Sequence, residues 1–550
     1  VTAFQHKGIS ESDWEQMFAH YLNITLSKRL VDIILDINNE LKAIQNPNEI
    51  LIDINIELEI IFPDQPNITS FLELEKVLRK EEVKLISFLN NVSTHTKPQL
   101  IPNGYLLNLI AKSIQKQDCF KGKSIHVFVD EYENLLLYQQ KIINTLIKHP
   151  SPTIFDVGTR KEGLKTHQTL SETEIITPPH DFNRFDFETF SETDYERLLL
   201  DVCSKRLISV FNEFEIKPET KFTDIRYYLG SYSLSEEVNK IDNNIVREGY
   251  IESIQKIIWG SNWKEERIKD NKFKPLYHNN DLLILRLNLC LLERGENPDL
   301  LTKELAKYSK EQQSKYVDWV HNNKNGLIYL MVKEIRGSEK EYYGFNTYKS
   351  LSSGIIRYFL ELCESAFKQA NRKGFNFNSP RVISAEEQTK AAYYVSSYKI
   401  NDIDTFTPYG NRLKLFTLIM GKIFDKLHRD RKSSEPERNH FGTEFEKLSD
   451  DSKKFLQSAL LYSVFQKTDE TKDKSSAIDS NSFEFHLNHI YSPYFQISPR
   501  RIRKLIIPYK SLEILINKDV TEAESEANKI SKVKTGSSDH LLQIRLFDDL

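Results

Sequence analysis

Residues 124–135 read SIHVFVDEYENL, and this stretch restricts the possible folds of the chain more than any other. Ile125 to Val129 are mostly β-branched or aromatic, and two carboxylates, Asp130 and Glu131, follow without a break. A short apolar run of this composition predicts a buried strand. Residues 134–148 then recur with helical spacing, the turn HPSP follows, and TIFDVGTR (153–160) supplies a second short strand. Strand, helix and strand with short links form the βαβ pattern of a parallel sheet. The expectation is that 125–129 and 153–158 lie side by side, running the same way.

With 550 residues, the chain has room for two to four domains. A net charge of −4 exerts no bulk pull toward nucleic acid, so any such binding must come from a local patch. Cys119, Cys203, Cys290 and Cys363 are widely spaced and read neither as a disulfide framework nor as a zinc cluster. No apolar run reaches the ~20 residues of a membrane span, and no signal peptide precedes the first helix. A cytoplasmic protein without a membrane partner is expected. The chain opens VTAFQHKG, and its first methionine is Met17, inside a helix. VTAF looks like the end of a strand, which suggests a chain cut from a longer one. SDWE (12–15) reads as a capping box, and Trp14, Phe18, Tyr21, Leu22, Leu26, Leu30, Ile33 and Ile34 then recur at helical spacing, so this helix should pack one face on a core.

Residues 12–118 read as mostly helical, with 70–91 the clearest amphipathic run. From about 185 the character changes to long polar helices, and SNWKEERIKDNKFKPLYHNN (261–280) reads as a polar connection. SLSSGIIRYFLELCESAFKQA and SAEEQTKAA are both helical, the latter with a Ser384–Glu387 capping box. Residues 400–516 form a last unit of helices plus a short strand, SLEILI, interrupted by a polar loop at 467–482. The tail after 517 is expected to be poorly ordered.

The chemistry resides at strand ends. In P-loop nucleotide hydrolases an Asp at the end of a buried strand holds magnesium, and a neighbouring Glu can accept the proton of the attacking water. Asp130 and Glu131 stand where this requires, although two solvated acids at a strand end would read the same way. The second strand ends in Thr159 and Arg160, and a guanidinium can clamp phosphate oxygens bidentately. SSGIIRY puts Arg357 in the first turn of an apolar helix, as a cation on a closing lid would be.

These signals, in this order, resemble AAA+ ATPases of the origin-recognition-complex and replication-initiator type. The likeness rests on VFVDEYENL, FDVGTR, and SGIIRYFLELCESAF followed by ISAEEQTKAA, within residues 1–200 and 340–516. The Thr-Arg ending is also similar to the signal-transducing (STAND) branch of P-loop ATPases, common in prokaryotic immunity proteins. The resemblance implies ATP and Mg2+ as ligands. It makes Asp130 the magnesium-coordinating acid, Glu131 the catalytic base, Thr159 or Arg160 the first phosphate sensor and Arg357 the second. One element is missing. The phosphate loop G-x-x-x-x-G-K-[ST] should precede a helix, whereas Gly122-Lys123-Ser124 precedes a strand and has Gln117 where the first glycine belongs. The resemblance therefore implies either an N-terminal truncation or a degenerate domain, with weak or absent ATPase activity in this chain.

ISPRRIRKLIIPYK reads as a helix capped by Ser498, with Arg500, Arg503 and Lys504 on one face and Arg501 beside it. With the helix 450–466 before it and SLEILI after it, this would be a winged helix able to contact duplex DNA, or else a protein. His486 and His489 are three residues apart, with no acid or Cys partner to name. The fold class expected is α/β: a parallel-sheet P-loop ATPase core (1–200), a helical insertion and lid (201–398), a winged-helix-like domain (399–516) and a tail (517–550). The expected function is an ATP-dependent switch in DNA-associated initiation or antiviral defence, acting with DNA, a second copy or an effector. The alternative is a non-hydrolysing scaffold that binds DNA or protein.

Overall fold

The computed structural model describes residues 10–41, 51, 53–65, 67–90, 97–149, 151–160, 163–171, 173–185, 191–335, 339–429, 437–469, 483–500 and 504–531. VTAF, Arg501, Arg503 and most of the 467–482 loop lie outside the described residues. The chain divides into two compact units, residues 1–186 and 187–550. Both are dominated by helix, with one small parallel and one small mixed sheet, compatible with an α/β architecture. Among the described residues no helix is long and apolar enough to cross a membrane.

In the first unit, helix α1 (Glu11–Leu41) packs on α2 (Phe71–Asn90) and α3 (Tyr105–Gln115). Ile24, Val31, Leu74, Leu78, Leu106 and Ile110 form the centre of that core. The N-cap of α1 is Ser10 rather than Ser12: its hydroxyl accepts from the Asp13 amide at 3.2 Å and donates to the Asp13 carboxylate at 2.7 Å. The same Ser-x-x-acid pattern occurs two residues earlier than expected, so the helix gains a half-turn.

Strand β1 (Ile125–Val129), helix α4 (Leu137–Lys148) and strand β2 (Thr153–Val157) form the expected parallel pair, in register from Ile125↔Thr153 to Val129↔Val157. Ile125, Val129, Phe155 and Val157 face the helical cores. The other face is open: Phe128 is 79% exposed, and His126 meets Asp156 across the strands at 2.5 Å.

The second unit holds two cores. One is built from residues 238–332, around Leu285, Leu305 and Met331. At its edge the fully buried Arg286 holds Glu334 with two hydrogen bonds of 3.0 and 2.8 Å. The stretch 261–280 contributes helical turns at Trp263–Lys269 and Lys274–Tyr277, not merely a connection, because Leu276 and Tyr277 are buried in this core.

The other core joins α5 (Glu192–Glu213), α6 (Phe345–Leu351), α7 (Ile356–Arg372), α8 (Ala385–Asp402) and α9 (Gly410–His428) to a mixed sheet. The Ser384–Glu387 capping box opens α8 as expected. The sheet comprises β3 (His440–Gly442), β4 (Phe465–Asp469), β5 (Phe483–Leu487) and β6 (Leu505–Ile506) in the order β4-β5-β3-β6, with α10 (Asp450–Leu461) between β3 and β4. Helices α11 (Tyr509–Asn517) and α12 (Val520–Ile530) follow.

Three expectations fail here. Residues 498–500 and 504–507 are not helical: Leu505 and Ile507 are buried while Ile506 is 61% exposed, a period of two that adds an edge strand to β3. SLEILI is helix, with Leu512, Leu515 and Ile516 buried at helical spacing. The tail forms α12 before residue 532, capped by Asp519 and anchored by Ala523 and Ala527. His428 closes α9 fully buried.

Candidate functional site

Because β1 and β2 are in register and end level, the residues that follow them leave the sheet side by side. The pairing continues one step beyond the strands: the Gly158 amide donates to the Val129 carbonyl at 2.8 Å, and the Tyr132 amide to the Gly158 carbonyl at 3.0 Å. A Cβ on Gly158 would lie 3.0 Å from the Asp130 carboxylate, so the glycine makes room for that acid. Glu131 has a left-handed backbone, with φ 53° and ψ 43°, a conformation that costs a non-glycine residue about 1 kcal/mol. Its amide donates to Asp130 Oδ1 at 2.8 Å and its carboxylate accepts from the Asn134 side chain at 3.0 Å. Both Asp130 and Glu131 side chains are exposed. The two acids thus emerge at the carboxyl ends of parallel strands, the edge at which open α/β sheets bind ligands.

The loop after β1 is anchored from below by polar side chains of α4. Tyr132 is 1% exposed; its hydroxyl lies 3.0 Å from the Gln140 carbonyl and 2.9 Å from Asn144 Oδ1. Burial raises the Tyr132 pKa well above its ordinary value, so the phenol stays protonated and donates. Gln140 donates to the carbonyls of Tyr132 and Gly163 and accepts from the Lys165 amide. Asn144 donates to the carbonyls of Thr166 and Gln168. These buried amides tie the loop after β1 to the loop after β2, leaving the two strand-end pairs in a fixed relation.

Thr159 and Arg160 follow β2, and both are held by Glu133, a residue the sequence reading passed over. Thr159 Oγ1 donates to Glu133 Oε2 at 3.2 Å, the Arg160 amide to the same oxygen at 3.3 Å, and Arg160 Nε lies 3.2 Å from Oε1. The available signal was a third acid two positions beyond Glu131, but nothing in the linear order links it to residue 160.

Asp130, Glu131, Thr159 and Arg160 thus share one edge of one sheet. Arg357 belongs to the second unit, where it is exposed in the first turn of α7, after a break at 352–355 that contains Ser353 and Gly354 at positive φ. Arg500 and Lys504 are also in the second unit and are drawn onto buried carboxylates, Arg500 to Glu437 at 3.6 Å and Lys504 to Glu484 at 3.4 Å. His486 and His489 face one another with Nε2 atoms 3.2 Å apart, and Glu484 lies 3.5 Å from His440 across the sheet. Among the described residues no cluster of three or more His, Cys, Asp or Glu is arranged to hold a metal.

The four groups at the strand edge suit the terminal phosphate of a nucleotide and its cation, two acids for the metal and a hydroxyl and guanidinium for the oxygens. Gly122, Lys123 and Ser124 lie exposed in the turn before β1, with Gly122 at φ 73°, and do not form a phosphate cradle at a helix start.

The ORC-CDC6-like family model matches residues 1–507. Searches of curated proteins and of solved structures return no match.

Proposed function

We propose, because this chain belongs to the ORC-CDC6-like family, that it is an initiator-like AAA+ switch that binds ATP with Mg2+ at the carboxyl ends of β1 and β2. The observation that carries this reading is the level ending of the strands at Val129↔Val157, from which two acids and a Thr-Arg pair emerge together. Bound Mg2+ would supply the charge that draws and polarises the terminal phosphate oxygens. Asp130 would hold the metal, directly or through water. Glu131 takes the proton of the attacking water, and its fixed left-handed backbone keeps the carboxylate at the sheet edge. Arg160 and Thr159 would read the terminal phosphate from β2, and Arg357, in the second unit, is proposed as the second phosphate sensor. Such a switch serves DNA-associated initiation and antiviral defence equally.

The test is Glu131→Gln in the full-length protein. It preserves size and hydrogen bonding but removes the proton acceptor, so nucleotide binding should persist while phosphate release falls at least about a hundredfold. Unchanged turnover would make Glu131 a solvated strand-end acid. A chain that binds no nucleotide in either form would instead be the fold-only scaffold.

A second reading concerns the C-terminal part. The order α9, β3, α10, β4, β5, with β5 between β4 and β3, supports a winged-helix-like arrangement over residues 410–487, within the 399–516 expected but without the 498–504 helix. Its helix α10 opens on Asp450 and Asp451, and Arg500 and Lys504 are committed to internal carboxylates. A protein partner, an effector or a second copy, is therefore proposed ahead of duplex DNA for this surface.

A further inference from the structure

We infer that Asn134 is a positioning residue for Glu131, its side-chain amide fixing the carboxylate that is to accept the proton of water; the inference rests on the nucleotide reading above. Asn134 Nδ2 donates to Glu131 Oε2 at 3.0 Å. Both side chains are exposed. Among the described residues the Asn134 side chain makes this one hydrogen bond. A polar tie between two solvent-facing side chains contributes little to the stability of a loop. Its effect falls instead on where the carboxylate lies. Asn134 is a neutral donor, so it orients the carboxylate without placing a charge beside it.

The backbone brings the two side chains together. Glu131 is left-handed, at φ 53° and ψ 43°, and the chain turns back at once, with the Asn134 amide donating to the Glu131 carbonyl at 2.9 Å. The single turn Tyr132–Asn134 lies between the buried Tyr132 and Leu135, and the Leu135 amide donates to the Tyr132 carbonyl at 3.1 Å. The same carbonyl accepts from the buried Gln140 side chain at 2.9 Å. The main chain at Asn134 is therefore held from below, and its side chain reaches back across the turn. On the other side the Glu131 amide donates to Asp130 Oδ1 at 2.8 Å, which ties the residue to the acid that would hold the metal. A glutamate at an exposed strand end otherwise samples many rotamers. With Oε2 held by a donor of fixed position, Oε1 is presented to the attacking water.

The test uses steady-state phosphate release by the full-length protein, with melting temperature and affinity for Mg2+ and a non-hydrolysable ATP analogue measured alongside. Misplacing a reacting group by about 1 Å can cost up to ~100-fold in rate. Asn134→Ala should lower kcat about tenfold, with affinity and melting temperature unchanged. Asn134→Asp keeps the shape of the side chain but has no donor, and should be at least as slow. In a Glu131→Gln background Asn134→Ala should lower turnover no further, because no proton acceptor is left to position. Wild-type kcat in Asn134→Ala, with Glu131→Gln slow, would overturn this inference and leave the nucleotide reading standing. An additive loss in the double variant, or a loss accompanied by weaker binding and a lower melting temperature, would make Asn134 a structural tie and overturn it as well. If Glu131→Gln turns over normally, or the full-length protein releases no phosphate, the nucleotide reading fails first and this inference falls with it.

Discussion

Acid should weaken the second unit through one histidine. His428 is fully buried at the end of α9; its Nδ1 meets the Phe424 carbonyl at 2.8 Å and its Nε2 accepts from the Ser498 amide at 3.1 Å. Nδ1 therefore carries the proton, Nε2 is an acceptor, and the ring is neutral. Burial, reinforced by the Lys333 charge, lowers its pKa to about 3; the Phe424 carbonyl and then Asp425 act the other way, and Arg438 acts in the same sense as Lys333. The unfolded ring titrates near 6.5, so below that pH the unfolded chain takes up a proton that the folded chain refuses. Stability is full above pH 6.5 and drains as pH falls toward about 3. Each pH unit in this window is worth about 1.4 kcal/mol, so the loss from this residue is about 2 kcal/mol at pH 5. His428→Gln keeps an acceptor for the Ser498 amide and cannot titrate. Urea unfolding at pH 7 and pH 5, followed by tryptophan fluorescence, reports mainly on this unit, which contains Trp259, Trp263 and Trp319. The wild-type chain should lose about 2 kcal/mol more than the variant between the two pH values. Equal losses would refute the argument, since every other titrating group is common to both proteins.

Two further outcomes follow from the geometry. Tyr132→Phe removes the hydroxyl that reaches Asn144 and the Gln140 carbonyl, leaving a buried acceptor unpaired. A cost of about 1–3 kcal/mol should appear as a lower unfolding midpoint of the first unit, and a neutral result would mean that the polar support under the loop is not holding it. For the basic segment, Arg500→Ala with Lys504→Ala would flatten the slope of log affinity against log salt by up to about 1.8 if both touched DNA phosphates. Because each is paired with a buried carboxylate, the expected change in slope is below about 0.5, with a fall in melting temperature instead; a full slope change at unaltered melting temperature would restore the DNA-contact role.

The parts of this molecule legible in the sequence are those in which a local pattern and its physical cause span only a few residues. Ile125–Val129 and Thr153–Val157 had one strand-like composition and one intervening helix, and a parallel pair was the simplest way to join them. The position of Asp130 and Glu131 followed from where the apolar run stopped, and the α8 capping box and the place of Arg357 in a first helical turn were equally local. The errors occur where a short run suits two periods. SLEILI and RKLIIP each contain enough apolar residues for a strand or a helix, and the face that found a core decided between them: Leu512, Leu515 and Ile516 at helical spacing, Leu505 and Ile507 at spacing two. The candidate site shows the same division. Residue types at strand ends announced its chemistry, but its rigidity comes from contacts that cross 20 or more positions in sequence, such as Glu133 to Arg160 and Gln140 to Gly163. Which acid is left exposed at the sheet edge and which holds its neighbours depends on how the two loops fold over α4, and only the tertiary structure decides that.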